Sequence, residues 1–479
     1  MIDFGSLTTP PKQKPTVSSF SFSKILPVLK NLRPEPLFKS VSAIDPFALY
    51  ERLRPHVRRS FILESAPGAE RLAEFTFIGF EPAAMLALRE GTLFVDGKAL
   101  GASHKPLQDL RALLRDIGRP HLTEFKYLGG LVGYVGYDFV RHLERVPEAS
   151  GEKIFPDFEL GLYLDGVVFD HHASRAFYFS HAEDRSELLG LGTDSRVPDR
   201  ESFSCDALTS HQTQAQFVKT VEAAREYICA GEIYQMVLSR QLSARYRGDL
   251  FDVYRTLRKI NPSPYMYFLD FGERFVAGSS PEMLASLQGR TVTTYPIAGT
   301  RPLGQTEAER QAYAQELLAD EKECAEHNML VDLARNDVGR VSEYGSVYVP
   351  DYLTVERFSH VQHIVSRVQG RLRKELDALD AFASIFPAGT VSGAPKVRAM
   401  ELISRLEPSA RGPYAGAVGY FSLNGNMDTA ITIRTIVAGT EKLYLQAGAG
   451  IVYDSVPERE FAETEHKLGA LKKALGGLL

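Results

Sequence analysis

The residues of this chain best placed to do chemistry are two pairs of glutamates, each pair three residues apart inside a helical pattern. Glu323 and Glu326 lie in KECAEHNMLVDLARND, and Glu460 and Glu463 lie in PEREFAETEHK. Residues at i and i+3 share one face of a helix, so each stretch presents a claw of two carboxylates. Two claws that face each other repel unless a hard cation such as Mg2+ lies between them, and Mg2+ keeps coordination positions free for an anionic substrate. A single glutamate pair is ordinarily a solvated helix face. Here Lys467 adds an ammonium one turn beyond Glu463 on the same stripe, where it can hold a substrate carboxylate. No H-E-x-x-H or Cys-x-x-Cys spacing occurs, which argues against zinc.

Three further segments, read as loops, add binding chemistry. YPIAGT at 295–300 ends a strand pattern with a small-residue turn and a hydroxyl. FPAGTVSGAPK at 386–396 reads as a turn into a helix, which puts the Thr390 hydroxyl and free backbone N–H groups at a positive helix end suited to an anion. In QAGAG at 446–450, Gly448 and Gly450 flank Ala449 and let the backbone approach a ligand closely. Arg434 lies in an alternating pattern over 432–436, and a buried Arg seldom goes unpaired, so a carboxylate partner is expected. No G-x-G-x-x-G opens a helix after a strand and no G-x-x-x-x-G-K-[ST] occurs, so there is no dinucleotide or P-loop fingerprint.

The elements that position these groups follow from periodicity. The second glutamate helix shows an S-x-x-E capping box at Ser455 and Glu458, Pro457 in its first turn, and leucines running on to Gly476 and Gly477. The first is expected to begin near Thr306 and run past Leu333, with Leu318, Met329, Leu330 and Leu333 on its apolar side. Helical runs over 213–230, 251–260, 377–385 and 396–405 interleave with strands over 265–270, 274–278, 291–296, 415–422, 427–437 and 442–447. Grouped strands with a hairpin signal at Asn424-Gly425 predict an α+β layered fold of antiparallel sheets with helices outside. GLVGY at 130–134 recurs as GAVGY at 416–420, a faint sign of duplication.

Composition sets outer limits. The chain has 479 residues, a net charge of -5 and 24% charged residues, so neither nucleic acid nor a membrane surface is an expected partner. Three scattered cysteines do not make a disulfide framework, and a reducing cytoplasm fits. The N-terminus has no apolar signal region, and no run approaches the roughly 20 apolar residues of a membrane span. Residues 1–35 read as a loose Pro-, Ser- and Lys-rich arm, 36–180 as an N-terminal α/β domain, 181–212 as a linker and 213–475 as the catalytic domain.

PIAGTRPLG, LLADEKECAEHNMLVDLARNDVGR, FPAGTVSGAPKVRAMELI, GAVGYFSLNGNMDTAITIRT and QAGAGIVYDSVPEREFAETEHK resemble, in order and spacing, the motifs of the chorismate-utilising enzymes, most closely component I of anthranilate synthase. The resemblance covers about residues 36 to 472 and implies a two-domain α+β protein. Its layered α/β/β/α core would have two orthogonally packed antiparallel sheets and a cleft for Mg2+ and chorismate. It assigns metal contact to Glu326 and Glu463, supported by Glu323 and Glu460. The ring carboxylate is assigned to the surroundings of Gly299, Thr300, Gly448, Ala449, Gly450 and Lys467, and the enolpyruvyl carboxylate to Arg434 and Tyr414 near Thr390. His363 matches the histidine beside the reacting ring, and Glu282 in SSPEML matches the acid that protonates the departing C4 hydroxyl.

Related enzymes that add water carry a lysine where this chain has Gln235, and many aminodeoxychorismate synthases carry a nucleophilic lysine where it has Ala298. Both positions favour direct use of ammonia and formation of anthranilate, the first step of tryptophan biosynthesis. The alternatives are aminodeoxychorismate synthase and a non-catalytic tryptophan-sensing homologue. No cysteine lies in a Gly-x-Cys-x-Gly turn, so the resemblance implies a separate glutamine amidotransferase subunit. It also implies a tryptophan-feedback site at Glu64, Ser65, Pro264, Tyr265, Met266, Gly419, Tyr420 and Phe421. The chain departs from that pattern where EFTFIG at 74–79 replaces the common RYSFIG.

Overall fold

The computed structural model describes residues 20, 22, 26–42, 45–65, 74–118, 122, 125–149, 151, 153–190, 201–358 and 361–476. These form two antiparallel sheets, one of 13 strands and one of 12 among the described residues. Their inner faces meet: Phe61, Tyr267 and Val437 from the first sheet pack with Val132, Tyr163 and Val418 from the second. Strands such as Gly130–Val135 and Phe158–Tyr163 are buried along their whole length, and Glu159 within the second is paired with Arg274.

Helices cover the two outer faces. Pro46–Leu53, Leu250–Ile260 and Pro457–Ala474 set Leu49, Leu53, Phe251, Leu257, Leu468 and Leu471 against the first sheet. Pro106–Ile117, Glu321–Gly339 and Ala378–Ile385 set Leu110, Leu113, Val331, Val338, Leu379 and Phe382 against the second. The result is the expected helix, sheet, sheet, helix layering. The two helices carrying the glutamate pairs, Glu321–Gly339 (α1) and Pro457–Ala474 (α2), lie on different outer faces. No described helix is long and apolar enough to cross a membrane.

The division near 181–212 in sequence is not a division of the core. Ser60–Glu64 pairs with Tyr265–Asp270 in the first sheet, and Gly130–Val135 pairs with Ala417–Ser422 in the second, so both sheets run across the boundary. The repeated GLVGY and GAVGY strands are this second pair, with Gly133 directly opposite Gly419. Within 181–212, Ser204–Cys205 and Thr209–Ser210 add to the edge of Gln235–Arg247, while 191–200 fall outside the described residues. The N-terminal arm is not loose in its described part. Phe22 and Leu26 are buried in the core beneath the second sheet, and Pro27–Asn31 forms a short 3-10 helix.

Two further expectations change. The single strand over 427–437 is two strands, Met427–Ile431 in the second sheet and Thr435–Ala438 in the first. The chain passes from one sheet to the other through Thr432, Ile433 and Arg434, and Arg434 takes a left-handed φ of 49°. QAGAG is not a loop but part of the strand Lys442–Ile451, in register with Gln235–Arg247.

Candidate active site

The helix expected from Thr306 past Leu333 is broken at Asp320. Glu307–Ala319 ends there and α1 begins, with the Asp320 carboxylate accepting hydrogen bonds from the backbone N–H groups of Lys322 and Glu323. Aspartate favours this role because its short side chain satisfies N–H groups that a new helix leaves free. The break puts Glu323 and Glu326 in the first turns of α1, and it leaves Leu318 exposed while Leu317 is buried. The capping box expected for α2 does not form. Val456 is the N-cap, Pro457 opens the helix, and the Ser455 hydroxyl instead accepts from Val452 N and hydrogen-bonds Glu460.

The carboxylates of α1 and α2 feel one another. Burial, Glu323 and Glu463 push the Glu326 carboxyl above its ordinary range, while Gln235, donating from Nε2 to Glu326 Oε1 at 3.1 Å, lowers it. Burial and Glu463 likewise raise Glu460, which Ser455 lowers. Glu463 is paired with Lys467 at 2.7 Å, and Lys467 also donates to the Gly448 carbonyl at 2.9 Å. Glu323 is held by Arg301 at 3.4 Å. Among the described residues no three Asp, Glu, His or Cys side chains converge into a ready metal cage. Even so, a set of hard oxygens whose negative charge is disfavoured by burial and mutual repulsion fits Mg2+ chemically.

The backbone is shaped around these groups. Gly299 lies at a bulge in the strand Ile297–Pro302 with φ +62°, and a Cβ there would stand 3.0 Å from Leu317 and 3.3 Å from Glu323 Oε2. Gly448 and Gly450 lie opposite Ser239 and Val237. A Cβ on Gly448 would meet the Tyr414 hydroxyl at 2.8 Å, and one on Gly450 would meet Gln235 Nε2 at 2.9 Å. The glycines thus admit Tyr414 and Gln235 to the site.

A second group gathers where the chain changes sheets. Glu282 is buried, and that burial pushes its carboxyl up to about 8, against lowering by Thr390, Lys467 and Arg434. His363 is driven down to about 4, first by burial and further by Arg434 and Lys467, with only the Gly299 hydrogen bond opposing. Its Nδ1–H donates to the Gly299 carbonyl at 2.8 Å, with Thr300 Oγ1 3.1 Å away. That donor fixes the tautomer and leaves Nε2 with the lone pair. Burial also lowers Arg434, which Glu282 partly offsets. The carboxyl group nearest in influence to Arg434 is thus Glu282, but the two form no close ion pair among the described residues. These influences put Glu282, Arg434, His363 and Lys467 within electrostatic reach of one another. Thr390 is not at a helix end: it lies in the turn Gly389–Val391, and the next helix starts only at Lys396, after the short strand Gly393–Ala394. Its Oγ1 is buried and makes no well-formed hydrogen bond, although it lies near enough to Glu282 to lower that group's pKa.

The residues assigned to feedback divide between two faces. Glu64 and Met266 face each other across paired strands, and Tyr265 donates to Asp428 at 3.1 Å while Tyr420 pairs with Asp428 in register. Tyr420 packs on Phe77 and Tyr127 between the sheets, but Phe421 points outward against Phe382. Pro264 is buried at the head of the strand Tyr265–Asp270, and Ser65 follows the strand Ser60–Glu64. Glu64 is already engaged by the Tyr254 hydroxyl at 2.6 Å and Arg258 at 2.8 Å.

Sequence reasoning overlooked Arg411 and Glu407, a fully buried pair. Arg411 donates to the carbonyls of Val391 and Val237 at 2.7 Å each, and Glu407 accepts from Ser239 N at 2.8 Å. The pair ties the Thr390 turn to the strand carrying Gln235. Its i,i+4 spacing was visible, but nothing in the sequence marked it as buried. Lys396, held to Asp337 at 2.6 Å, was likewise unmarked.

A sequence profile described as chorismate binding enzyme matches residues 38–473. Relatives named anthranilate synthase component 1 include one from Methanothermobacter thermautotrophicus, 46% identical over 92% of this chain and 94% of that protein. Another, from Methanothermobacter marburgensis, is 47% identical over 90% of this chain and 93% of that protein. The crystal structure of anthranilate synthase component I from Streptococcus pneumoniae superposes with a TM-score of 0.75 at 38% identity, covering 92% of this chain and 100% of the other.

Proposed function

The chain belongs to the chorismate binding enzyme family as an anthranilate synthase large subunit, and from that premise we propose that it converts chorismate and ammonia to anthranilate and pyruvate in the pocket between α1 and α2, with Mg2+ bound. The observation that carries the site assignment is the gathering of buried Glu282 and His363 beside Arg434, which has no close ion pair, with burial favouring the neutral forms of Glu282 and His363.

Each residue has a task that its surroundings suit. A buried guanidinium without a counter-charge is completed by a carboxylate, so Arg434, with the Tyr414 hydroxyl, binds the enolpyruvyl carboxylate. Lys467 and the backbone at Gly299, Thr300 and Gly448 receive the ring carboxylate. Glu326 and Glu463 would hold the metal, with Glu323 and Glu460 supporting it; when bound, Mg2+ draws electron density through the ring carboxylate. Glu282, protonated at neutral pH, gives its proton to the departing C4 hydroxyl as ammonia adds at C2. His363 then assists removal of the C2 proton through Nε2, and loss of pyruvate leaves the aromatic product. Gln235 cannot activate water as a lysine would, and the Ala298 methyl cannot form a covalent adduct, which favours anthranilate over 4-amino-4-deoxychorismate.

Ammonia comes from a glutamine amidotransferase subunit, and tryptophan acts at the region of Glu64, Ser65 and Pro264 to Met266. The test is to incubate the purified chain with chorismate, Mg2+ and ammonium and identify the product. Anthranilate with pyruvate is expected, and glutamine should serve only after the amidotransferase subunit is added. A 4-amino-4-deoxychorismate product would move the chain to that activity, and no turnover would leave a tryptophan-sensing homologue.

A further inference from the structure

Beyond the carboxylates of α1 lies a cavity of about 30 Å3. Leu330, Leu333 and Asp337, which follow Glu326 on the same stripe of the helix, line it together with Pro296, Ile385, Glu282 and Thr390. Leu333 and Gly389 in this lining are partly exposed, so the cavity meets solvent beside them. A water occupies roughly 10–15 Å3 of such space, so there is room for about two. The Thr390 hydroxyl, buried without a well-formed hydrogen bond, is the kind of group an internal water satisfies.

We propose that this cavity is a water site on the reaction path, which accepts the substrate hydroxyl leaving as water and returns a proton to Glu282 through the Thr390 hydroxyl. The inference rests on the reading of Glu282 as the acid. When the C4–O bond breaks, the Glu282 carboxylic acid supplies the proton that makes the leaving group water, and a carboxylate remains. Ammonia adding at C2 becomes an ammonium substituent that later releases one proton. The protons balance, but one is released on the substrate and one is needed at Glu282, so it must travel.

The substrate cleft is a poor route, because Arg434 and Lys467 flank Glu282 there and their charges oppose a passing proton. The cavity has no unpaired cation in its lining. Lys396, outside the lining, is bound to Asp337 at 2.6 Å, and besides the groups already named the lining is apolar apart from Tyr295 and Thr294.

Two substitutions test this in the isolated chain with ammonium as nitrogen source. Ala334→Leu fills the cavity from its wall, and Thr390→Val removes the hydroxyl while keeping its shape. Each should lower kcat by about tenfold or more, within the usual range for disturbed proton transfer, and raise the solvent deuterium isotope effect on kcat. Chorismate KM should stay near wild type for Ala334→Leu. If Ala334→Leu does not fold, Leu333→Phe closes the solvent side instead. Folded variants with wild-type kcat and isotope effect would overturn the proposal, as would a fall in kcat with an unchanged isotope effect, which marks a packing defect. Wild-type turnover in the same assay keeps the readings apart: its absence defeats the proposed function, whereas its presence beside unresponsive variants defeats only the water site.

Discussion

The proposed catalytic pocket and the proposed feedback region are both built from strands contributed by distant parts of the chain, yet they treat their polar groups in opposite ways. In the pocket, Arg434 forms no ion pair among the described residues, Thr390 Oγ1 makes no well-formed hydrogen bond, and Glu282 is held protonated by burial. In the feedback region, Glu64 accepts from Tyr254 and Arg258, and Asp428 accepts from Tyr265. A buried polar group costs free energy until it is paired. The pocket is therefore complete only when a charged ligand is bound, whereas the feedback region is already satisfied and a ligand there must add to existing pairs or displace them.

The contrast breaks first at the carboxylate claws. Glu326→Gln or Glu463→Gln should abolish nearly all turnover and weaken the response to added Mg2+, because each removes a charged ligand. Glu323→Gln and Glu460→Gln should lose less, about 10- to 100-fold, as supporting groups around metals do. Equal, mild losses at all four positions in steady-state assays would show that no metal is held there.

The next effect is on pH. With Glu282 as the proposed acid, turnover should decline as pH rises through about 8, where its proton is lost. Glu282→Gln should cost about 100-fold or more and abolish that limb of the pH–rate profile. The same shift bears on stability. The folded state holds a proton on Glu282 that the unfolded chain releases near 4.5, so this contribution is fully present below about 4.5 and is lost as pH rises through about 8. His363 stays neutral down to about 4, so no activity change near its ordinary value of 6.5 should arise from it.

The smallest effect is expected in the region whose polar groups are already paired. Substituting Ser65, which adjoins the engaged Glu64, should raise the tryptophan concentration needed for inhibition and leave uninhibited turnover nearly unchanged. Tryptophan can inhibit only by preferring an arrangement that binds chorismate poorly, so chorismate must weaken tryptophan binding by the same factor. Calorimetry that detects no tryptophan binding would remove this regulation and leave the catalytic reading intact.

Much of the architecture was legible because local rules governed it. The strand over 265–270 and the helices opening at Leu250 and Lys396 lie within a residue of where periodicity put them, since apolar spacing there coincides with burial. The misreadings arose where side chains competed for backbone groups or strands changed partners. Asp320 divided one expected helix into two by capping the second, and Ser455 bonded inward to Glu460 rather than capping α2. The run over 427–437 is rich in Thr and Ile with no Gly or Pro to interrupt it, so nothing local revealed that it leaves one sheet at Ile431 and enters the other at Thr435.

By itself the sequence determined the inventory of this site: hard carboxylates at helical spacing, a lysine on the same stripe, glycines where backbone must come close, and the motif order that the family shares. Those features depend on residue identity and short spacing, which a chain carries before it folds. Only the tertiary structure decided which groups meet and in what state. Arg434 reaches Glu282 because the chain crosses between sheets there, Glu282 keeps its proton because burial outweighs the cations beside it, His363 stays neutral because burial and those same cations both oppose its charge, and Glu64 is already paired because Arg258 and Tyr254 come from a helix nearly two hundred residues away in sequence. Burial and distant pairing set the electrostatics of a site, and neither is written in local spacing.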